Sequence, residues 1–164
     1  MDVFFSTIYY WFSGLYGQNL DYYLAGYNSE TGLYDYAAVY VPIGLTMIVL
    51  TASICGSYYY ILNHPHLNRW WHWLIAGGIT AVLNLFIGGA WVSSHYNDGL
   101  IPDDLLYDPT TGKEVLSIFD CWMFGLANGI LAFVCFAILS TIIKRWSRNC
   151  RHTPWKSIFP KRNK

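Results

Sequence analysis

Residues 121–143 read CWMFGLANGILAFVCFAILSTII, 23 residues without one Asp, Glu, Lys, Arg or His. A hydrocarbon core of about 30 Å is crossed by about 20 helical residues, so this stretch is long enough to span a bilayer. A soluble helix of that length would carry a polar face. Here the polar interruptions are single Ser, Thr, Asn and Gly residues, which a membrane helix satisfies internally or against a neighbour.

Working outward, two more windows of this kind appear: residues 36–63, 28 long, and residues 73–94, 22 long. The composition agrees, with 54% hydrophobic and only 12% charged residues, a balance unsuited to a soluble surface. The expected fold is therefore an all-α integral membrane protein with three transmembrane helices, at about 36–62, 71–94 and 120–143. An N-terminal segment 1–35, a loop 95–119 and a tail 144–164 complete the organisation. Aromatic residues mark the boundaries: Tyr34, Tyr36 and Tyr40 precede the first span, Tyr58, Tyr59 and Tyr60 close it, and Trp70, Trp71 and Trp73 open the second.

Charge placement gives the orientation. Nine of the ten basic residues, Arg69 and the eight of the tail, fall on one side of the three spans. The loop 95–119 holds Asp98, Asp103, Asp104, Asp108 and Glu114 against Lys113 alone. Basic segments stay cytoplasmic, so the N-terminus and the acidic loop are expected outside and the tail inside. No basic n-region, cleavage site or lipidation pattern is evident at the start, so no removed signal peptide is expected. With no Asn-x-Ser/Thr sequon in the outer segments, the expected location is a bacterial inner membrane.

Near the start, Phe4, Phe5, Ile8, Trp11, Phe12 and Leu15 recur at helical spacing within an apolar run of 14 residues, 3–16. Such a run reaches roughly 21 Å, short of a crossing, and predicts an amphipathic helix in the outer interface; a fourth span is the alternative. Two outer segments are alike, YNSETG at 27–32 and YDPTTG at 107–112. The second, flanked by 105–107 and 113–115, predicts a small β-hairpin.

Two small-residue stripes mark the expected helix contacts. In the second span Gly77, Ala81, Asn84 and Gly88 follow one another by four, three and four residues; in the third, Cys121, Gly125, Asn128, Ala132 and Cys135 do much the same. Small residues let backbones approach, and an amide in hydrocarbon needs a partner. Helix contact is the first reading of these stripes and pore lining the second. Asn84 and Asn128 lie at similar depth and can meet.

Catalytic and metal chemistry find little footing. The spans hold no ionisable acid or base of the kind that marks a pump or carrier. His64, His66 and His72 share the inner connection with no Cys or carboxylate to complete a metal site. His95 and Asp120 end neighbouring spans and suggest a structural pair. Cys55, Cys121, Cys135 and Cys150 form no redox or metal motif, and no intrachain disulfide is expected. No cofactor or metal is expected.

The tail carries eight basic residues in 21, interleaved with aromatics. Lys144, Arg145, Arg148 and Arg151, nearest the membrane, suit anionic lipid and fix topology; a protein partner is compatible, and nucleic acid is not expected. The function expected is a non-enzymatic multispan membrane subunit that oligomerises and anchors or scaffolds a larger envelope assembly. An oligomeric pore or channel, including a lytic or defence effector, is the alternative.

Overall fold

The computed structural model describes residues 2–29, 31–61, 69–108 and 110–144. The chain is mostly helical, and three helices are long and apolar enough to cross a membrane: Tyr40–Ile61, Trp70–Asn97 and Ile118–Ile143. In chain order the elements are α1 (Asp2–Tyr10), α2 (Ser13–Tyr16), α3 (Gln18–Ala25), α4 (Tyr40–Gly56), α5 (Trp70–Asn97), α6 (Asp103–Leu106) and α7 (Ile118–Ile143). A π-helical turn, Ser57–Ile61, prolongs α4.

The helix ends explain the window boundaries. At the start of α7 the Asp120 carboxylate accepts from the Ser117 backbone N–H (2.8 Å) and hydroxyl (2.9 Å), a capping box that satisfies donors the helix leaves open. The last ionisable residue before the apolar run is thus a cap. At the end of α5, Leu100 N–H reaches the His95 carbonyl (3.0 Å) and Gly99 N–H that of Tyr96 (3.2 Å), closing the helix in a left-handed turn at Gly99. The same device ends α3: Gly26 has φ 82°, and a β-carbon there would stand 2.3 Å from the Tyr36 carbonyl oxygen. Gly26 is required twice over, for its backbone conformation and for the strand of chain that crosses it.

Pairings between the long helices fix their directions. The Tyr40 and Phe124 rings are 6.0 Å apart and the Cys55 thiol lies 3.7 Å from the Ser140 hydroxyl, so α4 and α7 run parallel. Trp73 donates its ring N–H to Ser140 (3.0 Å) and Gly88 faces Asn128, so α5 runs antiparallel to α7. The α5–α7 contact is the most extensive in the fold. Because Tyr40 lies level with Phe124, six residues into α7, α4 begins about 9 Å deeper than α7 does.

The short helices fill that notch and form a cap on the bundle. The single helix expected over 3–16 is broken: α1 ends at Tyr10, and Trp11 and Phe12 turn the chain before α2. Phe5, Tyr9 and Tyr16 are buried against the bundle, while Phe4, Trp11 and Leu15 are exposed. Tyrosine hydroxyls have buried partners here, which a reading of apolar spacing alone overlooks.

Among the described residues no β-strand forms, and the expected hairpin reduces to one antiparallel bridge, Tyr107 with Glu114. Leu105 and Leu106 are drawn into α6 instead, since Pro102 followed by two aspartates is a favourable helix start. The two look-alike segments do fold alike. Asn28 N–H bonds the Leu33 carbonyl (2.8 Å) as Asp108 N–H bonds that of Lys113 (2.9 Å), with Gly32 and Gly112 in left-handed conformation. In the second loop the Asp108 carboxylate gathers the Thr110 hydroxyl (2.6 Å) and N–H (2.7 Å), which hold its pKa down to about 2.

Candidate functional site

The two small-residue stripes face each other within this one chain. A β-carbon at Gly125 would stand 2.6 Å from the Leu85 carbonyl oxygen and 2.8 Å from the Gly89 α-carbon, so the two backbones touch. One turn deeper, a β-carbon at Gly129 would lie 2.8 Å from the Ala81 carbonyl oxygen. Gly88 packs on the Asn128 side chain, and Gly77 receives the rings of Phe133 and Phe136. Ala132 is fully buried. At Gly125 and Gly129 the two helix backbones are in direct contact. Gly89 and Gly129 complete the seam, and they escaped the sequence reading although Gly125 and Gly129 form a G-x-x-x-G pair, the spacing that lets membrane helices meet closely.

The asparagines meet in an asymmetric way. Asn128 donates its amide to the backbone carbonyl of Asn84 (2.8 Å), whereas the Asn84 amide donates to Thr80 of its own helix (2.9 Å). The Asn84 amide oxygen is buried and receives no hydrogen bond from the described residues. The carbonyl of Asn128 turns the other way and accepts the Tyr9 hydroxyl at 2.6 Å. One side chain therefore links the helix seam to the cap.

Above Asn128 the cap is held by a hydroxyl and carboxylate cluster. The Tyr40 hydroxyl donates to Oδ1 of Asp21, and the Tyr16 hydroxyl lies 3.2 Å from the same oxygen, 2.8 Å from the Tyr40 hydroxyl and 2.9 Å from the Tyr9 carbonyl. The rings enclose these bonds: Tyr9 stacks on Tyr40 at 4.9 Å, and Tyr16 meets Phe124 edge-on at 5.3 Å. Burial raises the Asp21 pKa, and the hydrogen bonds from Tyr40 and Tyr16 offset only part of that. Burial likewise raises Tyr9 and Tyr16, so both remain protonated donors. None of Tyr9, Tyr16, Asp21 and Tyr40 was singled out as a site residue from sequence. The available signal was Asp21 itself, an acid amid tyrosines with no Lys or Arg before Arg69.

Other candidates separate. His95 and Asp120 do not pair: Nδ1 of His95 lies 2.9 Å from the Tyr23 hydroxyl, and Asp120 caps α7. Cys55, Cys121 and Cys135 are free thiols, and no group of three metal-binding side chains occurs among the described residues. At the far end of the bundle Cys55, Tyr58, Tyr59, Trp73 and Phe136 form a second apolar cluster, with Lys144 largely buried nearby in sequence at the close of α7. Arg145, Arg148 and Arg151 lie outside the described residues, as do His64 and His66. Compared with protein-family models, curated proteins and solved structures, the chain matches none of them.

Proposed function

We propose that this chain is a non-enzymatic multispan membrane subunit that anchors a larger envelope assembly, with its cap outside and its basic tail in the cytoplasm of a bacterial-type inner membrane. The observation that carries the reading is the buried joint between cap and bundle. Tyr9, Tyr16 and Asp21 hold some forty N-terminal residues onto α4 and α7, so a load attached to the cap is transmitted to the spans. The basic imbalance of nine residues in ten supports the orientation. In this reading α1 enters the outer leaflet beside α4, since Tyr9 reaches Asn128, about 15 Å below the start of α7, and Val3, Phe4 and Trp11 face lipid. Lys144, Arg145, Arg148 and Arg151 meet the inner leaflet, and other subunits or further copies of this chain join through the cap or the outward faces of the spans.

The test is isolation from the native membrane in mild detergent, together with conductance of the purified chain in planar bilayers. A stoichiometric set of co-purifying membrane or envelope proteins and a silent bilayer are the expected results. Unitary currents from the chain alone would replace this reading with the oligomeric pore. Reporter fusions should place Asp103 outside and Lys156 inside, and both on one side would overturn the topology.

A further inference from the structure

Helix α1 turns two faces to its surroundings. Phe5 and Tyr9 are buried against the bundle, while Val3, Ser6, Thr7 and Tyr10, at i, i+3, i+4 and i+7, form a second stripe. That stripe is one wall of an open groove of about 710 Å³. Opposite it stand Tyr22 of α3 and, from the segment leading into α4, Tyr34 and Tyr36. Tyr27 braces this wall, with ring centroids 5.2 Å from Tyr22 and 5.3 Å from Tyr34. The volume falls in the range of small-molecule sites.

Asp21 also lines the groove. The residue is only 8% exposed, and both tyrosine hydroxyls that reach it go to Oδ1. Oδ2 receives no hydrogen bond from the described residues. The chain supplies no nearby basic side chain in sequence, since the first Lys or Arg is Arg69. A carboxylate oxygen left open in a groove lined by four tyrosines, Tyr10 on one side and Tyr22, Tyr34 and Tyr36 on the other, is a combination that selects for organic cations. Ring faces attract ammonium groups, more strongly as water is removed, and the carboxylate supplies the counter-charge. A hard divalent ion would instead require six or more oxygen ligands, which this wall does not present.

We propose that this groove binds an organic ammonium group, with Asp21 as its counter-charge and Tyr10, Tyr22, Tyr34 and Tyr36 as its aromatic lining. Two sources carry that chemistry, the head group of an ethanolamine phospholipid and a free alkylamine. The exposed Val3, Phe4 and Trp11 around α1 give an acyl chain an apolar surface beside the groove.

The experiment uses the full chain in a neutral detergent, titrated calorimetrically with dihexanoyl phosphatidylethanolamine, its phosphatidylglycerol counterpart and free ethanolamine. Saturable binding of an ammonium compound, with none of the glycerol lipid, is expected. Asp21→Asn should weaken it at least about tenfold, and Tyr34→Leu about threefold to tenfold. Tyr34 is 61% exposed and outside the buried joint, so that variant tests the groove even if Asp21→Asn perturbs folding. A lipid midpoint well below that of free ethanolamine identifies the head group as the source, and equal midpoints identify a soluble amine. Equal binding of the two lipids, or parental affinity in Tyr34→Leu, would overturn the proposal.

Discussion

The seam between α5 and α7 and the joint between the cap and α4 are both buried, yet they are built from opposite materials. At the seam, side chains are removed: Gly125, Gly129 and Gly89 bring carbonyl oxygens and α-carbons within reach of a single methyl group. At the joint the side chains are large, Tyr9, Tyr16 and Tyr40, and every ring carries a hydroxyl with a partner. The seam gains from dispersion and shape, so it is sensitive to added volume. The joint depends on complete hydrogen bonding, so it is sensitive to a lost partner. Asn128 belongs to both, donating into the seam and accepting from the joint.

The most damaging change should be Gly125→Leu, which drives a side chain into the backbone of α5. A loss of about 3 kcal/mol or more is expected for such overpacking, read as detergent-titrated unfolding. Gly78→Ala is the matched control, because its β-carbon meets nothing within 4 Å. Removing the glycine entropy cost there should stabilise α5 by about 0.5–1 kcal/mol. Similar losses for the two would break the picture of a close-packed seam.

Next in size is Tyr9→Phe, which keeps the ring and leaves the Asn128 carbonyl unpaired. A cost of about 1–2 kcal/mol is expected, confined to the cap, with faster amide exchange in α1 and none in the middle of α5. Uniform acceleration through the spans would show that the joint and seam are one cooperative unit.

A pH series sharpens the contrast further. Because burial raises the Asp21 pKa, the folded cap tolerates the neutral acid better than the carboxylate. Its contribution is full below the ordinary aspartate value and is lost as pH rises through the raised one. Cap protection against exchange, corrected for intrinsic rates, should therefore fall across that window in the parent and flatten in Asp21→Asn. A flat parental profile would remove Asp21 from the joint's energetics. The smallest effect should come from Asn84→Leu, within about 1 kcal/mol, since that amide bonds only its own helix and its oxygen has no donor among the described residues. A loss as large as for Tyr9→Phe would mean Asn84 holds a partner across the seam.

What was readable in the sequence follows the same division. The three spans come from windows free of charge, and the seam from small residues at helical spacing, because both are consequences of a helix meeting lipid or another helix. The cap was harder. Apolar spacing picks out Phe4 and Trp11, yet the side chains that bury against the bundle are Tyr9, whose hydroxyl reaches Asn128 far away in the chain, and Tyr16, whose hydroxyl joins Asp21 and Tyr40. The β-hairpin failed for a local reason: Pro102 and two aspartates start a helical turn that takes Leu105 and Leu106 from the strand. No spacing rule within a window reports a competition of either kind.

The Tyr9–Asn128 bond joins residues 119 positions apart, and that distance sets an order of events. At roughly 5–20 residues per second, α7 leaves the ribosome on the order of 6–24 s after α1. Until then the first helix has no amide to bind and Asp21 lacks the Phe124 ring that roofs its cluster. Completion of the last span is thus what closes the first segment of the chain. A chain truncated before Ile118 should hold an N-terminal region open to protease, and the closing of that region in a pulse-chase would time the arrival of the third span.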